Sequence, residues 1–509
     1  MNNPLAALKL RWALPLAALA GLLEGTYFAG WHHPAVPFFA LLPLLIAVRG
    51  RPWRHRFLLG WLAGIMGFAL ATHWVFPALE QLQSDRAARV PFYFLLNISY
   101  HGLQFGLFAL GAAAMSGAVS SGSPYSPLRV GALWALIEWS FPAMLPWNRA
   151  QATLDRPEFA QLSSIVGVHG VAALTIAFNC VAANLLFRTS FKTRWRDGAG
   201  LVGLLLIPHL IGGQQIRSAA QTDGRRLSVA VVQAALPVGE KDPMKATRDS
   251  WETYHRETLA LVGKGLDLVV WPETTLRVYL RNDPVYRPLV QAIVNAIGAP
   301  LLVDSLDLTP SGTPEFNAAY LIDPSGAEQV YYKQHLMPFG EYIPGASTFA
   351  FLRKWQTTGD FLPGPPTAPM RVSNTDFATS ICLEVTRSGL NNESIQSGAG
   401  FLTNLTDDGW FRSRGLFIGH LDAARLRAIE TRRWLIRSSN SGISAIIDPS
   451  GRLVASADIG ARKTLVAQIA TRDDLTLFVR FGHWVIPIFC MGVLWPVFAR
   501  LRRHDRRSG

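Results

Sequence analysis

Cysteine is scarce in this 509-residue chain, which has only Cys180, Cys382 and Cys490. Cys180 and Cys490 lie in long apolar runs, so the polar middle of the chain contains Cys382 alone. This excludes a fold that depends on disulfides in the middle region. The histidines show no metal-ligand spacing, and the sequence has neither a phosphate-binding glycine loop nor a dinucleotide fingerprint. We therefore predict no metal site and no bound cofactor.

Acidic residues are outnumbered, because 48 Lys and Arg face 35 Asp and Glu and the formal net charge is +13. Such an excess can indicate nucleic-acid binding, but here the basic residues cluster in short segments beside apolar runs. That pattern is typical of cytoplasmic loops in membrane proteins. We therefore expect no nucleic-acid partner. The clusters are Arg49, Arg51, Arg54 and Arg56; Arg188, Lys192, Arg194 and Arg196; and Arg500, Arg502, Arg503, Arg506 and Arg507.

Hydrophobic residues make up 50% of the chain, which is too apolar for one soluble domain. A membrane span needs about 20 mostly apolar residues. We predict an N-terminal membrane domain of about seven spans over 1–220, a soluble domain over 225–479, and a C-terminal span with a basic cytoplasmic tail over 480–509. The predicted spans are 12–31, 36–49, 57–79, 91–115, 130–147, 159–187, 200–214 and 484–499.

The basic clusters also predict the orientation of the chain. If the N-terminus is cytoplasmic, the clusters after the second and sixth spans and the C-terminal tail all lie in the cytoplasm. Seven spans then deliver the soluble domain to the opposite side, which is the periplasm if the cell has two membranes. We expect a multi-pass protein of the cell inner (cytoplasmic) membrane.

Four ionisable residues occur inside the predicted spans. Charge is costly in a bilayer, so such residues either line an access path for lipid or pair between helices and reach towards the interface. The sequence leaves both interpretations open and favours the second. The residues are Glu24, His73, Glu138 and His169.

Strand-like and helix-like patterns alternate in the middle of the chain. This alternation predicts an α/β layered fold whose functional residues cluster at strand ends. Predicted strands are 227–233, 266–271, 300–304, 318–322, 329–333, 377–381, 400–405 and 444–448, and predicted helices are 243–262, 284–297 and 416–436.

Three residues of complementary chemistry stand at the ends of separate predicted strands: Glu273, Lys333 and Cys382. A thiol attacks as thiolate, so Cys382 would need Glu273 as general base and Lys333 to stabilise an oxyanion. The pattern predicts a cysteine-dependent acyl-transfer enzyme. The structural alternatives are an inert packed thiol, a helix cap for Glu273 and a surface ion pair for Lys333.

Further residues near this trio have two interpretations each. Glu341 and Glu384 would orient the lysine or handle an incoming amine, or they are structural. The backbone amide near Leu383 would help to hold the oxyanion. An apolar loop would contact the bilayer or pack on the soluble domain. Its residues are Phe349, Phe351, Leu352 and Trp355.

The motifs resemble those of a known superfamily. Segments 271–273, 332–333 and 381–384 resemble the Glu-Lys-Cys motifs of the nitrilase (carbon–nitrogen hydrolase) superfamily. The segment 335–344, together with the flanking spans, is similar to the apolipoprotein N-acyltransferase family over essentially the whole chain. The resemblance implies a nitrilase-like αββα sandwich beside an α-helical transmembrane bundle of about eight spans. The family pattern also extends to segment 404–411 and to His420, Arg427, Glu430, Arg433 and Asn440.

The same resemblance implies a reaction. A membrane phospholipid would donate a fatty acyl chain to Cys382 as a thioester, and the N-terminal amine of a diacylglyceryl-cysteine would accept it. Phospholipid and diacylated apolipoproteins are the expected partners of a membrane-embedded monomer without cofactor. Leu383 replaces a usual tyrosine and Asp242 stands near the place of a usual tryptophan, which affects expectations of acyl-chain preference and rate.

Two other classes of function were weighed against acyl transfer. A membrane-anchored amidase or nitrilase would hydrolyse a small amide, but such a hydrolase has no need of a seven-span bundle. A non-catalytic membrane scaffold has no use for Glu, Lys and Cys at three strand ends. Both comparisons favour the acyltransferase interpretation.

Overall fold

The computed structural model of the protein describes residues 8–81, 86–115, 125–144, 147–188, 190–219, 224–240, 242–309, 315–346, 348, 361–411 and 413–493. The apolar loop with Phe349, Phe351, Leu352 and Trp355 lies outside the described residues, as do the C-terminal basic cluster and positions 494–499 of the last predicted span.

Helices form the described N-terminal region. They are α1 (Leu10–Phe28), α2 (Val36–Phe39), α3 (Leu42–Val48), α4 (Trp53–Ala71), α5 (Val75–Gln81), α6 (Arg86–Pro91), a π-helical stretch (Phe92–Tyr100), α7 (His101–Met115), α8 (Pro127–Ser140), a 3₁₀ turn (Arg149–Thr153), α9 (Pro157–Ala160), α10 (Ser163–Phe187) and α11 (Phe191–Ala219). Small residues allow close packing: a Cβ on Gly64 of α4 would lie 2.5 Å from the carbonyl oxygen of Gly102 in α7.

Helices occupy most of the described residues of the predicted spans, but several span boundaries were wrong. Segment 36–49 is divided into α2 and α3, with Pro43 in the first turn of α3, a position that proline favours. Helix α11 begins well before the predicted residue 200, because its basic first turns continue the helix instead of forming a loop. Among the described helices, α10 and α11 are long and apolar enough to cross a membrane, and 36–48 is a shorter apolar stretch.

The central region contains two six-stranded sheets. The strands of the first sheet are β1 (Arg226–Gln233), β2 (Leu268–Val270), β3 (Leu301–Leu308), β4 (Glu315–Ile322), β5 (Glu328–Tyr332) and β12 (Lys463–Ala470). Their order is β12-β1-β2-β3-β4-β5, with β1, β2 and β3 parallel and the outer strands antiparallel.

The second sheet repeats this plan with other strands. They are β6 (Met370–Val372), β7 (Thr375–Ile381), β8 (Phe401–Thr406), β9 (Leu435–Ser439), β10 (Ala445–Ile447) and β11 (Leu453–Ser456). Their order is β11-β10-β9-β8-β7-β6, with β7, β8 and β9 parallel.

The two sheets face each other across a shared apolar core that includes Val229, Val231, Phe377 and Phe401. Helices α12 (Pro243–Leu259) and α13 (Tyr286–Ile297) cover the outer face of the first sheet. Helices α14 (Asn392–Gln396), α15 (Arg414–Thr431) and α16 (Leu477–Phe481) cover the outer face of the second. The predicted αββα sandwich is therefore confirmed.

One predicted helix was wrong at its C-terminal end. Helix α15 stops at Thr431 because Arg432 adopts the left-handed conformation, with φ of 52°. The remainder of the predicted segment 416–436 runs into β9, which lies between β8 and β10 inside the second sheet. The predicted strands also did not include β6, β11 or β12. Sheet pairing decides the conformation of such short apolar segments.

Helix α15 also joins the sandwich to the N-terminal helices. The Nε2 of Gln151 donates a hydrogen bond to the Gly419 carbonyl at 2.7 Å. The backbone N–H of Val168 in α10 donates to Oε1 of Glu430 at 3.1 Å. Apolar side chains of α15, such as Leu426, pack against residues of α10. Through these contacts the sandwich packs against the N-terminal helices.

Candidate active site

The three predicted catalytic residues stand where strands end. Glu273 follows β2 after Trp271-Pro272, Lys333 directly follows β5, and Cys382 directly follows β7. All three side chains are buried, and Lys333 is only 1% exposed. Because the Lys333 side chain is buried, the alternative of a surface ion pair is wrong. A buried charge needs partners of opposite charge.

Lys333 lies between two carboxylates. Its Nζ is 3.1 Å from Oε1 of Glu273 and 2.8 Å from Oε1 of Glu341. The Nδ2 of Asn317 donates to the same two oxygens at 3.0 and 3.2 Å. Burial by itself lowers the pKa of Lys333, but Glu273 and Glu341 outweigh that effect and the pKa lies well above its usual value. These two carboxylates therefore favour the cationic form of Lys333 at neutral pH.

Cys382 occupies a strained turn. Its φ is 56°, in the left-handed region that non-glycine residues rarely adopt, and a short 3₁₀ turn over Cys382–Thr386 follows. Its carbonyl oxygen accepts a hydrogen bond from Nδ2 of Asn404 at 3.3 Å and lies 3.1 Å from Nε2 of His420. These two contacts hold the turn that carries the thiol.

The electrostatic surroundings keep the thiol of Cys382 protonated at rest. Burial, followed by the negative charge of Glu273, raises the pKa of Cys382 well above its usual value, while Lys333 acts in the opposite direction. A thiol with a raised pKa needs a base to become a nucleophile. Glu273 is the carboxylate whose charge acts most strongly on Cys382, so it is suited to that role.

A second buried network supports the Cys382 turn. The Nδ1 of His420 is 2.7 Å from Oδ1 of Asp408, and Nη2 of Arg437 donates to Oδ2 of Asp408 at 2.7 Å. Burial alone would raise the pKa of Asp408, but Arg437 and His420 outweigh it and hold the pKa well below the usual range. The network fixes the His420 ring against the Cys382 carbonyl.

Glu384 holds backbone segments together. Its carboxylate is fully buried. Burial raises the pKa of Glu384, and the hydrogen bonds that the carboxylate accepts lower the pKa by less. Leu383 beside it packs in the core between the sheets. This geometry suits the structural interpretation of Glu384. The donors to Glu384 are the backbone N–H groups of Gln334 (2.7 Å), His335 (2.9 Å) and Ile381 (2.7 Å) and the hydroxyl of Tyr331 (2.9 Å).

Asp304 and Asp407, which are not among the predicted site residues, lie beside Glu273. The backbone N–H of Asp407 donates to Oε2 of Glu273 at 3.1 Å, and burial raises the pKa of the Asp407 carboxyl to about 7. Asp304 is buried in β3. Burial, followed by the charge of Glu273, raises the pKa of Asp304 well above its usual value. A carboxylate directly after the apolar run 301–303, at the end of a predicted buried strand, was the available sequence signal for Asp304.

Three of the four ionisable residues in the predicted spans have partners on other segments. Glu24 pairs with Arg149. Glu138 accepts a hydrogen bond from Nδ2 of Asn148 at 2.6 Å and lies 3.1 Å from Nδ1 of His169. The exposed His73, in the turn after α4, contacts the carbonyl of Leu70 in that helix at 2.8 Å. Glu24, Glu138 and His169 thus follow the favoured interpretation of pairing between helices.

The paired residues also line a cavity of about 780 Å³ between the N-terminal helices and the sandwich. Phe339 and Tyr342 contribute from the segment after Lys333, and Thr386 and Ser388 from the segment after Cys382. Within the described ranges, no group of three or more His, Cys, Asp or Glu side chains is placed to hold a metal ion.

Comparison with known proteins agrees with this architecture. Residues 20–181 match the apolipoprotein N-acyltransferase N-terminal domain, and residues 228–473 match the carbon–nitrogen hydrolase family. The apolipoprotein N-acyltransferase of Ralstonia nicotianae is 30% identical over 526 residues, covering 99% of this chain and 96% of its own. That of Azotobacter vinelandii is 29% identical over 514 residues, covering 97% and 96%. The chain therefore belongs to the apolipoprotein N-acyltransferase family.

Proposed function

We propose that the protein transfers a fatty acyl chain from a membrane phospholipid, through a thioester on Cys382, to the N-terminal amine of the diacylglyceryl-cysteine of an apolipoprotein. The observation that carries the proposal is the buried cluster of Glu273, Lys333 and Cys382 at three strand ends. Relatives named apolipoprotein N-acyltransferase over the full chain length support the lipoprotein acceptor.

In the first half-reaction, Glu273 takes the proton of Cys382 as the sulfur attacks the ester carbonyl carbon of the phospholipid. The oxygen of that carbonyl becomes an oxyanion, which the ammonium of Lys333 stabilises. When the tetrahedral intermediate collapses, the C–O ester bond breaks and the lysophospholipid alkoxide takes the proton from Glu273. The acyl group remains on the sulfur as a thioester.

In the second half-reaction, the neutral α-amine of the acceptor attacks the thioester carbonyl. Glu273 takes a proton from the attacking nitrogen, and Lys333 again stabilises the oxyanion. The C–S bond then breaks, and the thiolate of Cys382 recovers the proton from Glu273. Glu341 holds the other side of Lys333 throughout, at 2.8 Å. One nucleophile used twice implies ping-pong kinetics.

The 780 Å³ cavity supports a lipid donor. Its wall combines apolar side chains of the N-terminal helices, such as Phe68 and Trp134, with Phe339 of the sandwich. An acyl chain in this cavity would bring its carbonyl towards the segments that follow Lys333 and Cys382. Apolar walls also exclude water, which would otherwise hydrolyse the thioester.

We also infer that about eight membrane-spanning helices form a bundle, seven of them within 1–220 and one within 480–509. The catalytic domain, 225–479, would then lie in the periplasm. Exposed apolar side chains of α11 support a lipid-facing surface, since water would leave them as an uncovered patch. They include Phe191, Trp195, Leu206, Ile207 and Leu210.

The test of the chemistry uses the purified full-length protein in detergent with phospholipid alone. We expect a mass increase on Cys382 that neutral hydroxylamine removes, because the donor half-reaction needs no amine. Cys382→Ala and Glu273→Gln should give no adduct. Lys333→Ala should slow adduct formation by roughly 100- to 1,000-fold, as the loss of an oxyanion donor does.

Lys463→Ala is the matched control, because this exposed lysine of β12 donates only to the Ser456 carbonyl, at 2.9 Å, in the hydrogen bonds described. It should form the adduct at the wild-type rate. The covalent mechanism is wrong if acyl transfer to lipoprotein proceeds while phospholipid leaves Cys382 unmodified. Turnover of small amides without a lipid adduct would instead indicate a hydrolase.

A further inference from the structure

Asp304 is a buried carboxylate beside the catalytic residues that the mechanism above does not use. It lies in β3 and is 2% exposed. Its Oδ1 accepts a hydrogen bond from the backbone N–H of Thr274 at 2.7 Å. Its Oδ2 has no hydrogen-bond partner among the described residues. An unpartnered buried oxygen destabilises the fold, so a compensating role is expected at this position.

Thr274, the partner of Asp304, directly follows Glu273 and has a strained backbone. Its φ is 58°, in the left-handed region, where a β-branched residue is especially disfavoured. Such strain persists only where surrounding contacts hold it. The conformation of Thr274 sets the direction in which the chain leaves Glu273.

The path of the chain explains why a side chain is needed here. Regular pairing continues to Trp271, whose N–H donates to the Leu302 carbonyl at 2.9 Å. Pro272 has no N–H, so the ladder cannot continue through it. The carboxylate of Asp304 then accepts the N–H of Thr274 in place of a strand carbonyl.

We propose that Asp304 is a positioning residue for Glu273: by holding the left-handed turn at Thr274, it directs the Glu273 carboxylate towards Lys333 and the thiol of Cys382. This inference rests on the proposed role of Glu273 as general base.

The surrounding charges indicate that Asp304 acts as a hydrogen-bond acceptor and not as an anion. Glu273 and Glu341 face it with negative charge, and Lys333 is the cation that both already share. Burial and then the charge of Glu273 raise the pKa of Asp304 well above its usual value, which favours the neutral form over the anion. Asparagine keeps the Oδ1 acceptor and carries no charge. Asp304→Asn should therefore preserve the positioning role.

The experiment follows alkylation of Cys382 by iodoacetamide in the full-length protein in detergent, by the mass of the Cys382 peptide. This rate reports activation of the thiol without any acyl donor. Asp304→Ala should slow it about tenfold or more, whereas Asp304→Asn should stay within about threefold of wild type. Thr274→Gly should restore much of the loss in the Asp304→Ala protein, because glycine adopts positive φ freely.

A double-mutant comparison tests whether the effect passes through Glu273. In the Glu273→Gln protein, Asp304→Ala should cause no further slowing, because a misdirected base cannot matter once the base is gone. Asp267→Ala is the matched control: Asp267 also accepts one backbone N–H, from Ser228 at 2.8 Å, outside the catalytic cluster. It should alkylate at the wild-type rate.

The results that would contradict the role of Glu273 differ from those that would contradict the role of Asp304. If Glu273→Gln leaves the rate unchanged, the proposed base is wrong, and the positioning role with it. If Glu273→Gln slows alkylation and Asp304→Ala does not, only the positioning role is wrong. Equal loss in Asp304→Asn and Asp304→Ala would overturn the acceptor role, and Asp304→Asn alone decides this point if the alanine protein does not fold.

Discussion

At the scale of single residues, three of the seven described non-glycine residues with positive φ lie in the segments that contain the catalytic residues. They are Thr274, directly after Glu273; Phe339, in the segment after Lys333; and Cys382 itself. Strained conformations persist where buried contacts hold them. Asp304 contacts the first of these turns and His420 the third. Buried contacts therefore hold the strained turns that follow Glu273 and carry Cys382.

Asp407 should make the stability of the protein depend on pH. Its folded-state pKa of about 7 lies above the value of about 3.9 expected in the unfolded chain. The stabilisation from this group is therefore fully present below about pH 4 and lost as the pH rises towards 7, by at most about 1.4 kcal/mol per pH unit. We expect Asp407→Asn to flatten this dependence, measured as thermal unfolding midpoints in detergent between pH 5 and pH 8.

The control for Asp407 is Asp323→Asn, on the exposed turn between β4 and β5, where water reaches the carboxylate in both states. It should keep the wild-type pH dependence. Parallel loss of stability in wild type and Asp407→Asn between pH 5 and pH 8 would contradict the prediction.

At the scale of elements, α15 is the main connection between the sandwich and the N-terminal helices. Its Glu430 is fully buried, with Oε2 2.8 Å from Nε of Arg427 on the same helix. The Oε1 of Glu430 accepts hydrogen bonds from Val168 of α10 and, at 2.7 Å, from the Ser388 hydroxyl near the site. One carboxylate therefore connects α15, α10 and the loop after Cys382.

Glu430→Ala should destabilise the protein by about 3 kcal/mol or more, since it leaves the Arg427 charge buried without its carboxylate. The measurement is the thermal unfolding midpoint in a single detergent. Asp249→Ala serves as control, because Asp249 forms an exposed pair with Lys245 at 2.8 Å; it should cause no measurable shift. Similar shifts in the two variants would show that the buried pair does not stabilise the docking of α15.

At the scale of the whole molecule, the sandwich is attached to helices at both ends. Helix α11 precedes β1, and helical residues 485–493 follow α16. The cavity that the proposed mechanism uses lies between these parts, with walls from both. In the proposed mechanism, the access of substrates to the catalytic cluster therefore depends on how the sandwich lies against the N-terminal helices.

Reporter fusions test the proposed topology. A phosphatase fused after Gly509, active only outside the cytoplasm, should be inactive, because the basic clusters favour the cytoplasmic side. The same phosphatase inserted after Gly239, beyond β1, should be active. An active fusion at Gly509 would contradict the predicted orientation.

Several features of the protein can be predicted from local sequence patterns. These are the α/β alternation, the apolar helical segments, and the positions of Glu273, Lys333 and Cys382 at strand ends. Each can be predicted because hydrophobic periodicity and short motifs involve residues close together in the chain.

Local patterns cannot show which distant residues meet, because that depends on how the sheets assemble. Asn317 in β4 and Asp304 in β3 reach Glu273 or its turn because β2, β3 and β4 are neighbours in one sheet. Residues 435 and 436, predicted as the end of a helix, belong to β9 because that strand completes the second sheet between β8 and β10. Such outcomes depend on pairing between segments far apart in the chain, and a short apolar segment has no local pattern that distinguishes strand from helix.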